Sequence, residues 1–137
     1  MKRKGGLDIG ERRIGVAVTD PLEITAQPLG VVTRQSWKKD IAGIMELLKD
    51  YEVDAFVVGL PLTMKGEEGE QADRVKHLCK HLETETGLAV FFQDERLTSV
   101  QSERAMIEAG MSRRKRRNNI DKTAAALILQ AWIDGKR

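Results

Sequence analysis

Two short apolar runs, residues 5–10 and 13–20, stand at the front of the chain with only Glu11-Arg12 between them. That spacing leaves room for a tight hairpin and nothing longer, with Gly10 as a turn residue. In the second run Ile14, Val16 and Val18 share one face, and Gly15, Ala17 and Thr19 share the other. Residues 24–33 form a third extended run broken by Pro28, which points to an edge strand or a bend. Three strands joined by short connections are most simply antiparallel.

The rest of the chain alternates. Ser36 caps a helix whose apolar positions are Trp37, Ile41, Ile44, Met45 and Leu48. Residues 53–59 are a β-branched run, read as a buried strand. A loop from Leu60 to Gly69 follows, with two glycines and few apolar anchors. A helix over 70–86 buries Ala72, Val75, Cys79 and Leu82 and ends at Gly87. Residues 88–93 are a further strand. Thr98-Ser99-Val100-Gln101 has capping-box form and opens a helix that Gly110 ends. Residues 111–120 read as a basic loop, and a last helix over 121–134 begins at Asp121. Its three consecutive alanines, Ala124–Ala126, suit close approach to a sheet. The order βββαβαβαα gives an α/β fold: a mixed five-stranded sheet, its first three strands antiparallel, with helices on its faces. At 137 residues without repeats or linkers, residues 1–137 are expected to be one domain.

Three carboxylates stand out in that frame. Asp8 interrupts the apolar run Leu7-Asp8-Ile9, where Asp is disfavoured. It reads either as the side chain of a turn or as a functional acid on an open face, and the Asp-x-Gly start also occurs where a hairpin cradles nucleotide phosphates. Glu95 follows an apolar strand and precedes a capped helix. Its neighbour Asp94 is the rival, and strand alternation admits only one of the two to a given face. Asp121 reads first as a helix cap, a role compatible with metal binding. Carboxylates converging from strand ends and a helix repel one another unless a hard cation sits among them, and Mg²⁺ takes such oxygen ligands.

Charge distribution adds the partner. Residues 111–137 carry eight Lys or Arg against two Asp, while the rest carries 15 against 19. The run Arg113, Arg114, Lys115, Arg116, Arg117 repels itself unless a polyanion neutralises it. Arg13 and Arg96 are further candidates for phosphate contacts, with Lys65 in the 61–69 loop. Few aromatic residues argue against a stacking platform for single strands. His77 and His81 have i, i+4 spacing but no third ligand in view, so they read as solvent-facing. One cysteine excludes an internal disulfide. The first residues lack the apolar stretch of a secretory signal, no run is long enough to span a membrane, and a cytoplasmic location is expected.

Four motifs in order carry a family likeness: Leu7-Asp8-Ile9-Gly10 with Ile14-Gly15-Val16-Ala17-Val18-Thr19-Asp20; Val58-Gly59-Leu60-Pro61-Leu62; Asp94-Glu95-Arg96-Leu97-Thr98; and Asp121 with Ala124-Ala125 and Ile128-Leu129-Gln130. Together they resemble the YqgF family, Holliday-junction-resolvase-like proteins regarded as nucleases of precursor 16S ribosomal RNA. The resemblance implies an RNase H-like fold and metal-dependent phosphodiester cleavage. It implies Asp8, Glu95 and Asp121 as an acidic triad holding one or two Mg²⁺ or Mn²⁺ ions. The implied partner is precursor ribosomal RNA or the assembling small subunit, with monomer and dimer both open. This chain departs from the family in carrying Glu11 and Thr63, where Thr and Asn are frequent. Rival readings are a DNA junction resolvase, a non-catalytic RNA-binding assembly factor, and a nucleotide-binding ATPase of the actin and hexokinase type.

Overall fold

The opening strands pair as a meander. β1 (Arg3–Ile9) runs antiparallel to β2 (Arg13–Thr19), and β2 runs antiparallel to β3 (Ala26–Thr33). The computed structural model describes residues 2–63, 65–94 and 113–136, with backbone only over 113–120. After the meander come α1 (Trp37–Leu48), β4 (Val53–Leu60), α2 (Glu70–Thr86), β5 (Ala89–Asp94) and α3 (Arg113–Gly135). The strands lie in the order β3-β2-β1-β4-β5, with β4 parallel to β1 and β5 parallel to β4. The mixed five-stranded sheet expected from the element order is therefore observed. The helix expected over 98–110 lies outside the described residues.

Local chemistry explains the boundaries. Pro28 sits on the outermost strand beside a register shift: Val16 pairs with Gly30 but Ala17 pairs with Pro28. A bulge on an edge strand is where a residue without an N–H is tolerated. The third strand starts at Ala26, two residues later than expected, because Asp20 gathers the preceding turn. Its carboxylate accepts from the backbone N–H of Leu22, Ile24 and Thr25. The Ser36 hydroxyl accepts from Lys39 N, as an N-cap does. Gly87 ends α2 in the left-handed region, at φ 72°.

α1 and α2 cover one face of the sheet over a core of Leu7, Ile14, Val16, Ile44, Phe56, Leu78 and Leu82. Cys79 packs in this layer, and burial pushes its thiol up to about 12, so it acts as an apolar filler. α3 covers the other face through Ala17, Val57, Ala125, Ile128 and Leu129. Among the described residues no helix is long and apolar enough to cross a membrane.

The last helix corrects two expectations. Residues 113–120 are helical rather than a loop, and Asp121 lies more than two turns inside α3 rather than at its cap. Apolar periodicity is missing from the Arg113–Arg117 run, which is why the sequence gives no helical signal there. Once Ala124–Ile133 is docked, however, each preceding residue adds one hydrogen bond without a new nucleus. Arg and Lys propagate a helix well.

Candidate active site

Asp8 sits one residue from the end of β1, opposite Gly15 of β2. Directly opposed residues share a face of the sheet, so Asp8 shares the face of Gly15, which is the α3 face. A Cβ built on Gly15 would lie 1.8 Å from the backbone oxygen of Asp121 and 2.4 Å from its carbonyl carbon. Only glycine lets the helix come this close, and the contact sets Asp121 above the cross-strand neighbour of Asp8. Gly6 does the same one turn further along: its missing Cβ would lie 2.9 Å from Leu129 Cβ and 3.0 Å from Ala125 O. The two glycines and the alanines of α3 dock helix on sheet almost backbone to backbone.

Arg13 completes this cluster. It lies on β2 two residues before Gly15, and its Nε donates to Asp121 Oδ2 at 2.5 Å. The pair joins residues 108 positions apart. The expectation for Arg13 was a contact to substrate phosphate, whereas here it is engaged with a candidate triad residue. About a quarter of each side chain is exposed. The pair is thus partly screened by water and open to exchange.

The remaining candidates distribute along one edge. β1, β4 and β5 are parallel, so Asp8, the loop after Leu60 and the end of β5 at Asp94 lie at the same edge of the sheet. Asp94 pairs with Leu60, and Val90 on the same side of β5 packs in the α1/α2 layer. Asp94 therefore belongs to the face opposite Asp8. Glu95 and Arg96 lie outside the described residues. Lys65 is exposed in the loop after β4. That loop is tied rather than loose: Leu62 bridges to Glu68, Thr63 N donates to Glu67 O, and Gly66 N donates to Thr63 O. Arg113, Arg114, Lys115, Arg116 and Arg117 form the opening turns of α3, with side chains outside the described residues.

His77 and His81 make ring contacts rather than a metal grip. His81 stacks on Trp37 at 3.8 Å, and His77 meets His81 edge-on at 4.9 Å. Among the described residues no group of three or more His, Cys, Asp or Glu is gathered to hold a metal ion. Two oxygen donors for a hard cation, Asp8 and Asp121, stand on the same face; a third has to come from elsewhere.

Two contributors were missed in the sequence. Gly15 was read only as one residue of a strand face, although an isolated glycine in a β-branched run is itself a sign of close backbone approach. Asp40 gave no signal beyond an acid in a first helical turn. It is buried, with 1% of its surface exposed, and accepts from Arg34 Nε and Gln35 N. Arg34 in turn donates through Nη1 to Gly10 O, and its backbone N donates to Arg12 O. Asp40 and Arg34 thereby brace the turn that carries Asp8 on one side and Arg13 on the other.

Residues 2–135 match the RuvX family, described as Holliday junction resolvase. The chain belongs to the RuvX family. RuvX is the family also called YqgF, as the motifs indicated. Curated relatives include proteins of Moorella thermoacetica and Clostridium novyi, each named "Putative pre-16S rRNA nuclease". They are 48% and 46% identical to this chain over 94% of its length, and the matches cover 92% and 96% of the relatives. Among solved structures, Thermus thermophilus RuvC in complex with a Holliday junction aligns with a TM-score of 0.60 at 17% identity, covering 98% of this chain and 97% of that one. Fowlpox virus resolvase with its junction DNA aligns with a TM-score of 0.56 at 13% identity, covering 98% of each chain. At such identities the likeness establishes the fold, which is RNase H-like. RuvX membership places the chain among the nucleases, hydrolases of phosphodiester bonds.

Proposed function

We propose that this RuvX chain is a divalent-metal-dependent ribonuclease that trims the 5′ end of precursor 16S ribosomal RNA during small-subunit assembly in the cytoplasm. The names of its relatives support the substrate. The observation that supports the reaction is the seat of Asp121 on Gly15, cross-strand from Asp8. A helix and a strand, more than 100 residues apart in sequence, are held together there by a contact that tolerates no side chain.

Asp8, Glu95 and Asp121 are the proposed ligands of Mg²⁺ or Mn²⁺. The donor set fits: Asp8 and Asp121 offer only hard oxygen atoms on a shared face. Asp94 belongs to the opposite face, which supports the choice of Glu95 over Asp94 as the third acid. When bound, one or two such ions would polarise the phosphate and lower the pKa of an attacking water. The chain's own residues do the rest. Asp8 and Asp121 fix where positive charge can collect, and Arg13 is the cation now paired with Asp121 Oδ2 that such an ion would have to displace. Lys65, Arg96 and the Arg113–Arg117 turns offer cations to the backbone of the polynucleotide without reading its sequence.

A labelled RNA spanning the mature 5′ end, incubated in Mn²⁺ with wild type and with Asp8→Asn, tests the proposal. Cleavage is expected for wild type and background for the variant, with unchanged thermal unfolding. Full activity in Asp8→Asn would remove Asp8 from the site. The family description favours one second reading, resolution of DNA junctions. A four-way DNA junction run beside the RNA separates them, since cutting of the junction alone would select it.

A further inference from the structure

Behind Asp8, on the face covered by α1 and α2, lies a second cavity of about 540 Å³. It opens between the β1–β2 turn, the β3–α1 connection and the first turns of α2. Ile9, Val75, Leu78 and Trp37 give it an apolar lining, and Arg34 and Arg74 line it together with the carboxylates Glu11 and Asp73. The volume lies within the range of small-molecule sites, roughly 300–1,000 Å³.

Arg34 is the built element of this cavity. Its Nε is bound to the buried Asp40 at 2.9 Å and its Nη1 to Gly10 O at 2.8 Å. Two of five guanidinium N–H groups are thus committed, and three remain for a ligand. Because a buried carboxylate holds it from behind, the guanidinium cannot fold away into solvent, and its remaining donors are preorganised. Arg74 is held differently. Its partners Glu11 and Glu70 are at 3.4 Å and 3.7 Å, and all three side chains are largely exposed. Such pairs contribute little and exchange readily for a better anion.

An apolar lining with one fixed guanidinium and one releasable one suits a flat, weakly polar body that carries a phosphate. We propose that this cavity binds a nucleoside phosphate unit, its base on the Ile9–Val75–Leu78 lining and its phosphate between Arg34 and Arg74. A free nucleotide and an unpaired nucleotide of a longer chain present the same chemistry. Glu11 tunes the site by competing with the phosphate for Arg74. The proposal rests on the cavity and not on the cleavage reaction.

The test is binding in EDTA, where metal-dependent cleavage is silent. Trp132→Phe leaves Trp37 as the single tryptophan, a fluorescent reporter at the cavity wall. Adenosine 5′-monophosphate, a ten-residue oligoadenylate and inorganic phosphate are titrated in turn, with calorimetry on the unmodified chain as a second measurement. Saturable binding of the mononucleotide identifies a free-nucleotide site, and binding of the oligonucleotide alone identifies a substrate subsite; either supports the proposal. Arg74→Ala is expected to weaken binding roughly fivefold, and Glu11→Thr to tighten it by a similar factor. Both positions are exposed, so neither change threatens the fold. Absence of binding to both nucleotides at millimolar concentration would overturn the site. So would an Arg74→Ala affinity equal to wild type, or inorganic phosphate binding as tightly as the nucleotides.

Discussion

The two faces of the sheet are packed by different means. On the α1/α2 face, branched and aromatic side chains such as Ile14, Ile44, Phe56 and Leu82 fill a layer between helix and strand. On the α3 face, Gly6, Gly15, Ala17 and Ala125 bring the backbones themselves together. A layer of side chains can adjust to a small change in volume by shifting rotamers, whereas a backbone seated on a backbone has nothing to shift. Asp8 and Asp121, two of the candidate catalytic acids, are on the second kind of face. Placement of Asp121 over the strand pair is thereby set by backbone contact, while the opposite face supplies most of the apolar burial.

The most direct way to break this comparison is Gly15→Ala. A methyl group 1.8 Å from Asp121 O forces α3 off the sheet. A loss of about 3 kcal/mol or more is expected, the upper end of overpacking costs. Urea unfolding would measure it, and cleavage should fall with it. The matching change on the other face is Ile44→Val, which removes one methylene from the side-chain layer. Its expected cost is about 1 kcal/mol with cleavage unchanged. Equal costs for the two variants would erase the distinction between the faces.

A smaller effect is expected where the α3 face meets solvent. On the proposed function Arg13 and a divalent cation are rivals for Asp121 Oδ2, so Arg13→Gln should tighten Mn²⁺ binding roughly fivefold, about 1 kcal/mol. Calorimetry of Mn²⁺ binding reads this without any turnover. Weaker binding would instead make Arg13 a residue that orients Asp121 for the metal.

The smallest effect concerns the β2–β3 turn. Backbone N–H groups of Thr25, Ile24 and Leu22 hold the Asp20 carboxyl below the usual carboxylate range, Thr25 contributing most. A carboxyl depressed in the folded state stabilises above its unfolded pKa, and that stabilisation disappears as pH falls through the folded value. Protection of the Ile24 and Thr25 amides, taken as their exchange rate relative to an unstructured peptide at the same pH, should therefore be constant above about pH 4 and should fall below it. In Asp20→Asn that pH dependence should be lost. A fall in protection that persists in Asp20→Asn would assign it to another group.

Features that depend on neighbours in sequence were legible. The hairpin followed from Gly10 and Glu11-Arg12, the α1 start from Ser36, and the α2 end from Gly87. Pro28 marked the edge strand because a missing N–H is costly anywhere else. What depends on distant partners was not legible. Nothing near Asp121 shows that it faces Gly15 or that Arg13 will claim it. The start of α3 was hidden for a related reason: its first turns carry no apolar stripe and take their conformation from the docked part of the helix. Alternation along β5 did set Asp94 apart from Glu95, since its period is set by the strand itself, but that Asp94 faces away from Asp8 depends on the pairing of β5 with β4.

The reach of the Gly15–Asp121 contact has a consequence for the order in which the protein becomes competent. All five strands precede α3 in the sequence, so Asp8 and its sheet partners are synthesised before Asp121. A chain stopped at residue 112 should show protected amides in the β1–β2 hairpin and no cleavage of RNA. For the ribonuclease proposed above, the cutting centre is then completed by one of the later acts of its own translation.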